Sequence, residues 1–160
     1  MNTVAWRCGG TPTRGQYQRY PSRFIYNVKL NYPTMLSGNS LHLFSGSTKY
    51  GVSVDRNVNA NPTVVADFNH LPFYPNTFDA VLADPPYADH WQKQWGGDLP
   101  QPKQILRAAS RVVRRGGLIG ILHIIVIPCY KEFNIERVAI HPILCGPNNV
   151  LRAFNVYRKL

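Results

Sequence analysis

Short apolar runs that each end in an aspartate mark the first half of the chain. Residues 51–55 end at Asp55, residues 62–67 end at Asp67, and residues 80–83 are followed directly by Asp84. Apolar runs of this length, rich in valine and bounded by turn residues, indicate buried β-strands. Because the carboxyl ends of parallel strands meet at one edge of a sheet, we expect the three carboxylates to line a single edge.

The rest of the pattern supplies helices and further strands. Pro21 or Ser22 suits the first turn of a short helix, and Gly116 suits the end of a longer amphipathic one with apolar residues at helical spacing. The elements predicted are, in chain order, a helix over residues 20–30, a strand over 40–44, a helix over 101–115, a fully buried strand over 118–127, and two closing strands over 134–141 and 151–158.

The gaps between the first three strands are short for parallel connections. About seven and about eight residues separate them, whereas a parallel crossover normally takes a dozen or more, usually including a helix. We therefore expect the helices of this half to be reduced to loops or single turns. One sheet face would then lack its helical cover, and burial of the exposed apolar surface by a second copy motivates a hypothesis of homo-oligomerisation.

Charge is distributed unevenly along the 160 residues, whose formal net charge is +10. No acidic residue precedes Asp55, and all six aspartates lie between Asp55 and Asp98. An acidic cluster within a basic frame suits a small-molecule site surrounded by a surface that binds a polyanion. Nucleic acid is the partner that this predicts; the alternative is that the basic charge serves solubility alone.

We divide the chain into a basic, flexible arm over residues 1–19 and a single domain over residues 20–160. Arg14 and Arg19 of the arm, interleaved with tyrosines, suit contacts to phosphates and bases, although a solvated tail is an equal alternative. No apolar run is long enough for a membrane helix, and the start of the chain has no signal-peptide pattern. With three scattered cysteines interpreted as free thiols, a cytoplasmic protein of a bacterium or a phage-infected cell is expected.

The segment Asp84-Pro85-Pro86-Tyr87 carries the most specific chemistry. Two prolines end the strand and fix the backbone, so they present a carboxylate, proline carbonyls and an aromatic ring in a rigid turn. These acceptors can hold an exocyclic amine while the tyrosine stacks on the attached base, which suits direct methyl transfer to nitrogen. A simple surface turn is the alternative, and Asp79 is interpreted as a surface acid before the strand. The histidines form no cluster in the sequence that would indicate a metal site.

The Asp-Pro-Pro-Tyr segment resembles motif IV of the class I S-adenosylmethionine-dependent amino-methyltransferases, and its Asp form is most similar to N6-adenine DNA methyltransferases. The chain resembles the small phage-type members over roughly residues 20–160. The resemblance implies an α/β Rossmann-like, mostly parallel sheet with an antiparallel last strand, and S-adenosylmethionine as cofactor. Asp84, Pro85, Pro86 and Tyr87 would then be catalytic.

The resemblance also implies cofactor contacts from several segments. Phe44, Ser45 and Gly46 resemble the glycine turn of motif I, although only one of its usual glycines is present. Asp55, at the end of the second strand, is our ribose ligand, since a carboxylate accepts both hydroxyl hydrogens. The further residues with implied cofactor contacts are Asp67 and Phe68, near the adenine, and Phe24, near the methionine end, for which core packing is the equal alternative.

Trp91 and Trp95 lie in the loop beyond the motif, where a flipped base would enter, and suit a substrate lid or, equally, packing on the domain edge. The expected function is methylation of the N6 amine of adenine in DNA. The alternatives are the same chemistry on RNA or on another amino group, such as cytosine N4 or guanine N2, and a non-catalytic nucleic-acid-binding protein on a degenerate methyltransferase fold.

Overall fold

The computed structural model describes residues 5–9, 20–86, 99–146 and 150–160. Within these ranges the chain forms two α-helices and eight strands of one sheet. The helices are α1 (Phe24–Asn31) and α2 (Pro102–Val112). The strands are β1 (Trp6–Cys8), β2 (Ser40–Leu43), β3 (Val52–Asp55), β4 (Val64–Val65), β5 (Phe78–Ala83), β6 (Val113–His123), β7 (Ile135–Cys145) and β8 (Val150–Lys159).

The strand order across the sheet is β1-β7-β8-β6-β5-β2-β3-β4. Every neighbouring pair is parallel except the two that include β8, which runs antiparallel to both β6 and β7. The predicted fold class is therefore confirmed: an α/β, mostly parallel sheet whose last strand is antiparallel.

The register of the central strands fixes which residues reach the carboxyl edge together. Leu43 of β2 lies opposite Ala83 of β5 on one side and opposite Val54 of β3 on the other. The next residue of each strand is therefore at one level. That level consists of Phe44, Asp55 and Asp84.

The connections in this half are as short as the sequence predicted. No helix occurs between β2 and β3, and single 3₁₀ turns at Val58–Ala60 and Phe68–His70 take the place of helices further on. Strand β4, expected over residues 62–67, is shorter than predicted, since only Val64–Val65 pair with β3. The chain leaves the ladder at Asp67, whose side chain accepts a hydrogen bond from the amide of Asn69 and so starts the turn.

Apolar side chains cover both faces of the sheet. On one face α2 and the segment before β5 pack over the central strands, and on the other α1 and the 3₁₀ turn Pro33–Leu36 do so, with Trp6 of the edge strand β1 joining the same cluster. On this second face β2 and β3 present Ser40, His42 and Ser53, which are polar and completely or almost completely buried. The expected bare apolar surface is therefore not found on these strands, and homo-oligomerisation stays a prediction without that support.

Three predicted boundaries are wrong, each for a local reason. Helix α1 begins at Phe24, because Arg23 before it adopts a left-handed conformation (φ 67°). Helix α2 ends at Val112, since Val113 is extended and joins β6 with the arginines after it. Asp79 lies inside β5, where it forms an ion pair with Arg114 at 2.6 Å.

The predicted buried strand over residues 118–127 also ends early, at His123, and Ile124, Ile125 and Val126 are about half exposed. Beyond them the chain is held by the buried amide of Asn155, which accepts a hydrogen bond from the Ile127 amide at 2.9 Å. The same side chain donates to the Ile125 carbonyl at 3.1 Å, so this edge of the sheet is fixed without ladder pairing.

The cysteines are free thiols, as expected, and Cys8 and Cys145 are buried as direct partners in the β1–β7 ladder. Burial raises the pKa of Cys8 to about 11. Among the described residues, no group of three potential metal ligands occurs. No helix in the described part of the chain is both long and apolar enough to cross a membrane.

We expect burial of His42 to make the protein less stable as the pH falls. The ring is completely buried between Tyr20 and Tyr50 and lies 2.9 Å from the Met35 carbonyl. Burial lowers its pKa from 6.5 to about 4. The unfolded chain therefore binds the proton first, and roughly 2–3 kcal/mol of the free energy of unfolding is lost as the pH falls from about 6.5 to about 4.

Urea unfolding across this pH range measures the loss. His42→Gln is expected to reduce the pH dependence, part of which remains because burial also lowers the pKa of His123 to about 4. His70→Gln, at an exposed position, is expected to leave it unchanged. Equal slopes for the wild type and the His42 variant would contradict the assignment.

Candidate active site

Asp84 occupies the carboxyl end of β5, as the sequence predicted. Its side chain is 3% exposed, and Pro85 behind it is also buried. Because neither proline carries an N–H group, the backbone here offers carbonyl acceptors and no competing donors. The turn therefore holds a buried carboxylate at a fixed place on the sheet edge. Tyr87, the fourth residue of the motif, lies outside the described residues.

The neighbours of Asp84 come from distant parts of the chain. Burial raises the pKa of the Tyr20 phenol well above its usual value, and the charge of Asp84 contributes to that rise. Burial likewise raises the pKa of Cys145, with Arg152 opposing the shift and Asp84 adding to it. The carboxylate is therefore close to side chains from the segment before α1 and from β7. Sequence reasoning missed these neighbours, since no local pattern connects them.

A strained turn follows β2, one strand away. Phe44 and Gly46 both have positive φ, 55° and 50°, and a bulky residue in this region costs of the order of 1–3 kcal/mol. The carboxylate of Asp55 stabilises the turn by accepting the Gly46 amide at 2.9 Å, and it also accepts the Asn57 amide at 2.9 Å. Asp55 thus shapes the glycine turn, a role that its position in the sequence did not suggest.

Two aromatic rings meet beyond the ends of β2 and β4. The rings of Phe44 and Phe68 are 5.1 Å apart, and both side chains are partly buried at the carboxyl edge. Asp67 beside them is exposed, with one carboxylate oxygen accepting the amide of its own turn. Phe24 is completely buried against Tyr20 and Phe154, which is the core-packing alternative for that residue.

The structure thus brings Phe44, Asp55 and Asp84 to one level, with Asp67 and Phe68 following the neighbouring strand. Since adjacent strands are about 4.8 Å apart, the backbones at Asp55 and Asp84 are separated by roughly 10 Å, with the turn after β2 between them. A small molecule can lie across this turn with a carboxylate at each end. The predicted substrate residues Trp91, Trp95, Arg14 and Arg19 lie outside the described residues.

Comparison with known proteins supports the same class. Residues 47–121 match the family described as a methyltransferase domain. Among solved structures, the [4+2]-cyclase SpnF aligns with a TM-score of 0.61 at 11% identity, covering 98% of this chain and 87% of that one. No curated protein matches the chain.

Two other structures are methyltransferases by description. One is described as a SAM-dependent methyltransferase from Methanosarcina mazei, with a TM-score of 0.56, 12% identity, and coverage of 76% of this chain and 92% of that one. The other is the aminoglycoside resistance methyltransferase NpmB1, with a TM-score of 0.52, 13% identity, and coverage of 82% and 92%. At these identities the structures establish the fold alone.

The fold is that of the class I methyltransferases, and together with the family match it supports an S-adenosylmethionine-dependent methyltransferase in general. The implied cofactor is S-adenosylmethionine, which supplies an electrophilic methyl group when bound. The residues fit it. Asp55 is only partly buried and keeps acceptor capacity for a diol, Gly46 adds no side chain at the turn, and the Phe44–Phe68 pair offers an apolar surface for a ring.

We expect Asp55→Asn to weaken S-adenosylmethionine binding by about tenfold or more, because it removes a charge-assisted acceptor that costs roughly 1.5–3 kcal/mol to lose. The amide oxygen can still accept the Gly46 N–H, so the fold should persist. Isothermal titration calorimetry measures the affinity, and thermal unfolding checks the fold. Asp79→Asn, which removes an acid paired with Arg114 away from this edge, is the matched control. Equal affinity in the two variants would remove Asp55 from the site.

Proposed function

We propose that the protein methylates the exocyclic N6 amine of adenine in DNA, with S-adenosylmethionine as the methyl donor. The observation that carries this proposal is the buried carboxylate of Asp84, set rigidly by two prolines at the level of the glycine turn. A buried acceptor facing a cofactor edge is suited to a neutral amine, whose N–H groups it can bind without a second charge.

The chemistry assigned to Asp84 is orientation. Its carboxylate and the carbonyl of Pro85 accept the two N–H groups of the amine, which aligns the nitrogen lone pair with the bound methyl group. Alignment of this kind accounts for a large part of the rate in bimolecular steps. As the nitrogen gains the methyl group it must lose one proton, and the carboxylate is the adjacent group that can receive it. In the proposal Tyr87 stacks on the base, Trp91 and Trp95 close over it, and Arg14 and Arg19 contact phosphates.

The net charge of +10 supports nucleic acid as the substrate. The preference for adenine and for DNA rests on the Asp form of the motif. The fold alone does not decide the reaction, as the similarity to a protein described as a [4+2]-cyclase illustrates. Methylation of RNA, of cytosine N4 or of guanine N2, and binding of nucleic acid without transfer, are therefore separate outcomes of the test.

We expect Asp84→Asn to reduce methyl transfer to DNA adenine by at least about a hundredfold, since it removes the group that orients and deprotonates the amine. The affinity for S-adenosylmethionine should change by less than about threefold. Purified protein is incubated with labelled cofactor and either mixed DNA or mixed RNA, and the nucleosides are identified by mass spectrometry after digestion.

Asp79→Asn is again the control, because it removes an acid from the beginning of the same strand, away from its carboxyl end, and should retain wild-type activity. Methylated product in RNA, or on cytosine or guanine, would replace adenine in DNA by that substrate. Cofactor binding with no methylated base in either polymer would overturn the proposal in favour of a binding protein.

A further inference from the structure

We propose that an open groove between β1 and α1 is a nucleic-acid subsite, in which two arginines hold the phosphate backbone and a tyrosine stacks on a base of the polymer whose target base enters the Asp84 site. The proposal rests on the proposed function in one respect: the polymer is taken to be the substrate itself. The groove has a volume of about 810 Å³ and is lined by Ala5, Trp6, Arg7, Arg23, Tyr26 and Asn27.

The groove is positively charged. Arg7 comes from β1 and Arg23 from the start of α1, and both are exposed. The ion pairs found among the described residues involve Lys103, Arg114 and Arg158, so neither groove arginine is neutralised by a carboxylate there. Because the whole sequence before Asp55 lacks acidic residues, this end of the domain attracts a polyanion.

An exposed aromatic ring lines the same groove. Tyr26 is 63% exposed, although it belongs to a helix whose other aromatic residue, Phe24, is completely buried. An exposed tyrosine beside guanidinium groups is the combination with which proteins bind single-stranded nucleic acid, since bases stack on the ring while phosphates contact the cations. The chemistry of the lining therefore matches a base and its phosphates.

The backbone fixes the arrangement. Arg23 adopts a left-handed conformation (φ 67°), which is uncommon for arginine and is held by the hydrogen bond from the Phe24 amide to the Pro21 carbonyl at 3.0 Å. The Gly9 amide donates to the Ser22 carbonyl at 3.2 Å and ties the two walls together. A strained residue that directs a cation into a groove is typical of a binding site.

Packed aromatic side chains connect the groove wall to the candidate active site. Trp6 of the wall packs on Phe24 with ring centroids 6.1 Å apart, and Phe24 stacks on Tyr20 at 5.2 Å. Tyr20 in turn is close enough to Asp84 for the carboxylate to raise its pKa. The groove wall and Tyr20 therefore belong to the same face of the sheet, the face on which α1 packs.

The test is fluorescence anisotropy with labelled adenine-containing DNA, single-stranded and duplex, over a series of salt concentrations. The double variant Arg7→Gln, Arg23→Gln should bind about tenfold more weakly, and the slope of log affinity against log salt should fall by about 1 for each arginine. Tyr26→Ala should weaken binding of the single strand by about tenfold while leaving the salt slope unchanged.

The matched control is the double variant Lys29→Gln, Arg107→Gln, which removes the same charge from exposed positions outside the groove. It should retain affinity and slope. Thermal unfolding and S-adenosylmethionine affinity, which should be unchanged in all variants, show that folding is intact. Wild-type DNA binding by the Arg7, Arg23 variant, or an equal loss in the control, would overturn the subsite.

The two proposals fail separately. DNA binding that depends on Arg7 and Arg23, in a protein that transfers no methyl group, would leave the subsite and remove the proposed function. Methyl transfer to DNA, with a DNA affinity that does not depend on Arg7 and Arg23, would leave the proposed function and remove the subsite.

Discussion

The hydrogen bond from the Gly46 amide to the Asp55 carboxylate is the interaction on which the arrangement of the carboxyl edge depends. It joins the ends of β2 and β3 and stabilises a turn in which Phe44 and Gly46 both have positive φ, a conformation that is strained for Phe44. Without a helix after β2, no helix N-terminus is present to hold this turn. The carboxylate of Asp55 therefore holds the turn in place of a helix N-terminus. The turn keeps a defined conformation although the crossovers are short.

The site has two environments on one edge. Around Asp55 the groups are partly exposed and hydrogen-bonded to backbone amides, whereas Asp84 is buried beside Tyr20 and Cys145. A solvated, hydrogen-bonded carboxylate suits recognition of hydroxyl groups, and a buried one suits a neutral amine that must lose a proton. The two aspartates thus suit different purposes because one is partly exposed to solvent and the other is buried.

Sequence reasoning located the strands and the acids at their ends because both are local signals: apolar runs of strand length, and turn residues after them. It failed where a distant contact decides. The groove around Arg7 and Arg23 exists only because β1 pairs with β7 at Cys8 and Cys145, more than a hundred residues apart. The buried face of Ser40, His42 and Ser53 was missed for a related reason, since polar residues in a strand suggest exposure unless their partners are known.

The pairing of β1 with β7 and the buried polar face of β2 and β3 together explain how a domain with few helices keeps both faces of its sheet covered. The hydroxyl groups of β2 and β3 find local partners, Ser40 at the Ser37 carbonyl and Ser53 at the Thr63 hydroxyl at 3.0 Å, so they need no helix above them. Helix α1 is then free to pack over β5, β6 and β8 and to place Tyr20 beside Asp84. Its outward side, with Arg23 and Tyr26, is left facing solvent next to β1. The first half of the fold therefore leaves a basic surface on the same side of the sheet as Tyr20, the neighbour of Asp84.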